Sequence, residues 1–148
     1  MDMDKSEVTA LIKRRKDALN LPWEGVAAKI GMSPVWTTSA CLAMNSMPKD
    51  KAEALAAALD LPEEAVEALQ ACPHKSWDKA IPTDPVLYRF YEAINVYGET
   101  MKELIHEKFG DGIMSAIDFS MHIDKQPDPK GDRVVITWNG KFLPYKSW

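Results

Sequence analysis

The spacing of apolar residues changes twice along the chain. From about Ser6 to Leu69 they recur at intervals of three and four in short runs broken by Pro, Gly and Asn, which predicts a series of short helices. Ser6 is placed to cap the first, running to Leu19, with Val8, Leu11, Ile12, Ala18 and Leu19 inward and the KRRK run (13–16) mostly outward. The second starts near Pro22, carries Val26, Ala27 and Ile30, and stops at Gly31. Ser33 and Pro34 open the third, which reaches about Met44. Pro48 starts an alanine-rich fourth ending near Leu59, and Pro62-Glu63-Glu64 opens a fifth. ACPHKSWDKA (71–80) is a connector, with Trp77 expected to pin it to one of the two domains, so the expected domains are 1–75 and 76–148. A long helix follows from about Asp84 to Phe109, with Leu87, Phe90, Ile94, Tyr97, Met101, Leu104 and Ile105 as one expected buried stripe.

After Gly112 the period becomes two. Ile113, Ser115, Ile117, Phe119, Met121 and Ile123 alternate with more polar positions, the pattern of a strand of about ten residues with one apolar face. KQPDPKGD reads as a turn, Arg133–Trp138 as a second strand, and Asn139-Gly140 as a further tight turn before KFLPYKSW. The fold class is thus α+β: a five-helix N-terminal bundle and a small C-terminal helix-and-strand domain. One helix and two or three strands cannot enclose the apolar residues after position 81, so that domain is expected to interlock with other copies of the chain.

WEGVAAKIGMSPVWTTSACLA has helix-turn-helix spacing, and the segment around it resembles the lambda-repressor-like DNA-binding fold. A recognition helix, however, needs Arg, Lys, Asn or Gln to reach base edges. The third helix, PVWTTSACLAMN, has no basic residue and only Thr37, Thr38, Ser39 and Asn45 as polar groups, so DNA binding is disfavoured. Net charge is −4, divided evenly between residues 1–80 and 81–148, and gives no support to a general polyanion binder. Cys41 and Cys72 form no Cys-x-x-Cys pair and have no histidine at metal-ligand spacing, which suits a reducing compartment and no metal. An acidic N-terminus without an apolar core and the lack of a membrane-length apolar run give a soluble cytoplasmic protein as the expectation.

Ionic chemistry stands out at Arg89 and Glu92. With Leu87 at zero and about 100° per residue, Arg89 lies at roughly 200° and Glu92 at roughly 140°, opposite the apolar stripe. Taken alone they fit an exposed ion pair of small energetic weight. Ser115 lies on the apolar strand face, where its hydroxyl needs a partner: either backbone in a core, or a small polar ligand in a dry pocket. The nucleophile-elbow, zinc-protease, dinucleotide and phosphate-loop motifs are all absent. A guanidinium, a carboxylate and a hydroxyl remain, a set that binds and aligns small anions.

IPTDPVLYRFYE, VYGETMKELIHEKFGDGIMSAIDF and VVITWNGKFLPYKSW closely resemble the C-terminal domain of the cyanase (cyanate hydratase, cyanate lyase) family, and residues from about Leu11 to Gln70 resemble its N-terminal domain more loosely. The resemblance implies a lyase that condenses cyanate with bicarbonate as co-substrate to give carbamate and carbon dioxide, carbamate then giving ammonia and carbon dioxide. It implies no cofactor, catalytic residues at Arg89, Glu92 and Ser115, and a homodecamer of five dimers with sites between subunits. Tyr145 and Trp148 are expected at such contacts. The competing readings are a helix-turn-helix transcriptional regulator with an oligomerising ligand-binding domain, and a structural oligomer with an inert Arg–Glu pair.

Overall fold

The computed structural model describes residues 3–73 and 82–146. Trp77 and Trp148 lie outside the described residues. The chain divides into two compact units, Met1–Lys75 and Ser76–Trp148.

The first unit holds α1 (Lys5–Ala18), α2 (Trp23–Ile30), α3 (Pro34–Cys41), α4 (Lys49–Leu59) and α5 (Glu63–Gln70). The cap of α1 is Asp4 rather than Ser6. The Asp4 carboxylate accepts from the amides of Ser6 (2.8 Å) and Glu7 (2.9 Å), and Glu7 reaches back to the Asp4 amide (2.8 Å). An ionised carboxylate suits the positive end of the helix dipole better than a hydroxyl, and Asp-x-x-Glu closes a reciprocal capping box. Val8 and Ile12 reach the core, whereas Ala18 and Leu19, also expected inward, are exposed. Gly31 ends α2 in the left-handed region (φ 67°), as its position predicted, and Ser33 caps α3 through the Trp36 amide. That helix stops at Cys41, three residues short of Met44, and the chain turns through Ala43 at φ 67°.

The core of this unit is built from Val8, Ile12, Val26, Ile30, Leu55 and Leu59 with smaller residues between them. Lys5 links its parts: its ammonium donates to the carbonyls of Asn45 and Leu69 (3.2 Å each), and partial burial lowers its pKa. Burial pushes the Cys41 thiol up to about 12, so it behaves as a small apolar residue. Thr37 Oγ1 is buried without a partner among the described residues.

The second unit holds α6 (Pro85–Phe109), β1 (Gly112–Gln126) and β2 (Arg133–Pro144). The Asp84 carboxylate caps α6 through the amides of Val86 (2.9 Å) and Leu87 (3.0 Å), with Pro85 in the first turn. Contrary to the expected buried stripe, no residue of α6 is buried: Leu87, Phe90, Ile94, Tyr97, Met101 and Leu104 are all exposed within the single chain. The helix meets the sheet at its C-terminal end, where Phe109 stacks on Phe142 with centroids 5.1 Å apart. His106 Nε2 lies 3.2 Å from the Gly112 carbonyl at the same corner.

The two strands pair antiparallel and form the whole sheet among the described residues. Both are longer than their sequence pattern indicated, and Asn139-Gly140 is not a turn. These residues lie inside β2, opposite Ser120 and Phe119. The reversal lies between the strands, where the Asp128 carbonyl accepts from the Gly131 amide (3.0 Å).

Candidate active site

Arg89 and Glu92 sit one turn apart on α6, with Nη1 of Arg89 3.7 Å from Oε2 of Glu92. Their side chains are 67% and 52% exposed in the single chain, and the guanidinium lies 5.7 Å from the Tyr88 ring centroid. A contact of this length and exposure contributes little to stability. It does keep the carboxylate beside the guanidinium, whose remaining donors have no protein partner among the described residues and suit a planar anion.

Ser115 is held differently. Met114 pairs with Phe142 and Phe119 with Gly140, so Ser115–Asp118 form an irregular segment opposite Lys141 alone. Phe142 and Gly140 share a face of β2, so Met114 and Phe119 share a face of β1 although five positions separate them. Strict alternation therefore breaks, and Ser115 does not sit on one flat apolar face with Ile117 and Phe119. Ile117 is 97% exposed, while Ser115 is buried. A bulge of this kind re-aims side chains and ends regular pairing locally.

The bulge provides the hydroxyl's partners. Ser115 Oγ accepts from the amides of Ile117 (3.1 Å) and Asp118 (2.9 Å). A serine hydroxyl has two acceptor positions and one proton to give. Both acceptor positions are filled, and the O–H has no acceptor among the described residues. Donation into the oxygen also polarises that O–H and strengthens it as a donor. Such a group is suited to donate to a small anion and poorly disposed to act as base or nucleophile. The two bracing amides are not visible from residue types, since they depend on a register set by the partner strand.

No hydrogen bond or ion pair joins Ser115 to Arg89 or Glu92 among the described residues. A surface groove of about 690 Å³ lies between α4 and α5, bordered by Lys49, Glu53, Glu63 and Glu67, and contains none of the three. Among the described residues, no group of three or more His, Cys, Asp or Glu is arranged to hold a metal, and no helix is long and apolar enough to cross a membrane. In and just after α3, Thr37 is buried, Ser39 Oγ donates to the Trp36 carbonyl (2.7 Å), and Asn45 donates to Ser39 (2.6 Å).

An α+β chain joining a helical bundle to a long helix and a two-stranded ribbon has counterparts among known enzymes. The crystal structure of cyanase from T. urticae superposes with a TM-score of 0.81 at 34% identity, covering 93% of this chain and 96% of that one. Residues 79–147 match the profile of the cyanate lyase C-terminal domain, and residues 5–73 that of the cyanate hydratase N-terminal domain. The cyanate hydratases of Teredinibacter turnerae and Marinomonas sp. are 61% and 60% identical over 146 residues, covering 99% of this chain and all of each relative. The chain belongs to the cyanate lyase family.

Proposed function

We propose that this chain is a cyanate-degrading lyase using bicarbonate as co-substrate, with Arg89, Glu92 and Ser115 brought together between copies of the chain. The observation that carries the reading is 61% identity to a cyanate hydratase across nearly the whole chain. The inter-chain site is supported by α6, which has no buried residue and leaves its apolar stripe uncovered.

The chemistry follows from the groups. Cyanate and bicarbonate are both anions, and their repulsion opposes encounter. The permanent charge and paired donors of Arg89 offset it, while the Ser115 O–H donates to one anion and fixes its orientation. Glu92 keeps the guanidinium in place and limits how much negative charge the site accepts. A bicarbonate oxygen then attacks the cyanate carbon, a step that proximity accelerates. The adduct takes bicarbonate's proton on nitrogen. Cleavage of the bond between the bridging oxygen and the former bicarbonate carbon releases carbon dioxide and, with one proton from solvent, leaves carbamate. Carbamate takes a further proton and falls apart to ammonia and a second carbon dioxide.

The proposed assembly is a homo-oligomer, a decamer of five dimers as the resemblance implies, in a cytoplasmic setting compatible with the free thiols of Cys41 and Cys72. A DNA-binding regulator is not favoured, since α3 carries no basic residue to reach base edges and the full-length relatives are named as enzymes. The test is ammonia release from cyanate with and without bicarbonate. Bicarbonate-dependent ammonia is expected; none, or a rate indifferent to bicarbonate, contradicts the reading.

A further inference from the structure

Asn139-Gly140 has the composition of a turn yet lies inside β2, where glycine ordinarily weakens a strand. Gly140 is not among the glycines with positive φ, so its backbone does not demand glycine. Space does. A methyl group built on Gly140 falls onto the Ser115 carbonyl oxygen and within 2.5 Å of Met114 Cγ and 3.1 Å of Met114 Sδ. The residue opposite the end of the bulge is therefore the one over which the Ser115 main chain must settle, and only a residue without a side chain leaves room.

We propose that Gly140 is a positioning residue for Ser115: its bare backbone lets the Ser115–Asp118 bulge close down on β2, which holds the serine oxygen against the Ile117 and Asp118 amides and presents its O–H as a donor only. The inference rests on the reading of Ser115 as an anion-binding group. Any side chain at position 140 lifts the Ser115 carbonyl, opens the bulge and displaces the hydroxyl. A displacement of about 1 Å in a group that orients reactants costs on the order of 10²-fold in rate.

The test is a double-mutant cycle in the full-length protein. Bicarbonate-dependent ammonia release is measured for Gly140→Ala, Ser115→Ala and the double variant, at enzyme concentrations that resolve the residual turnover of Ser115→Ala, with assembly size and melting temperature followed in parallel. Gly140→Ala is expected to assemble, to lose on the order of 10²-fold in kcat/KM, and to cause no further loss once Ser115 is alanine. Wild-type rates in Gly140→Ala, or losses that multiply in the double variant, overturn the inference while leaving the role of Ser115 intact. Wild-type rates in Ser115→Ala overturn both. If Gly140→Ala fails to assemble, replacing the Asp118 amide by an ester removes one donor to Ser115 Oγ without adding bulk. A drop in rate that vanishes in the Ser115→Ala background then supports the inference, and an unchanged rate overturns it.

Discussion

At the scale of single residues, the three candidate groups differ in how firmly one chain holds them. Ser115 is fully organised by its own bulge, with both oxygen lone pairs occupied. Arg89 and Glu92 hold each other only loosely on an exposed helix face. Replacing Arg89 by lysine keeps the charge but removes the planar fork that engages an anion through two donors. Arg89→Lys is expected to lower kcat/KM by about 10²-fold or more, with the size of the assembly unchanged by sedimentation; wild-type turnover would sink the assignment. The helical wheel placed Arg89 and Glu92 opposite the apolar stripe, because a regular helix fixes direction from spacing alone, but only the family resemblance made that pair a site candidate rather than a surface ion pair. Direction at Ser115 was not legible that way. Alternation assumes an unbroken strand, and the break between Met114 and Phe119 is set by pairing with residues more than twenty positions further on.

At the scale of elements, helix ends followed local chemistry closely where glycine and proline punctuate the chain, as at Gly31, Pro34 and Pro85. They were misplaced where two capping residues compete, as with Asp4 and Ser6. The winner there carries a pH signature. The Ser6 hydroxyl, followed by the Glu7 amide, stabilises the charged Asp4 carboxylate and lowers its pKa below the ordinary 3.8. A depressed folded-state pKa gives stability that is complete above the unfolded value and is lost as pH falls through the folded one. Asp4→Ala is therefore expected to melt below the parent at neutral pH, with the gap closing on acidification below about 3.8; a gap independent of pH would show that the charge of the cap contributes nothing. The strands were the less legible elements, since Asn139-Gly140 has the same composition whether it turns the chain or makes room for a neighbour.

At the scale of the whole molecule, the two units are unlike in a way that composition hides. The first encloses its apolar residues around Ile12, Leu55 and Leu59. The second leaves most of its large apolar side chains uncovered; among the described residues, only Leu19 and Met44 of the exposed large apolar groups belong to the first unit. Exposed apolar surface on this scale marks an interaction face, and here it runs along the helix that carries Arg89 and Glu92. The apolar stripe was legible in the sequence as a stripe, and its excess over what one helix and two strands can enclose already pointed to cover from other copies of the chain. A site shared between chains can be repaired by mixing chains that are each defective at a different residue. Arg89→Lys and Ser115→Ala chains, each nearly inactive alone, should regain bicarbonate-dependent ammonia release when co-assembled, through sites that draw an intact Arg89 from one chain and an intact Ser115 from another. Mixed assemblies that form and remain as inactive as their parents would contradict a site built between copies.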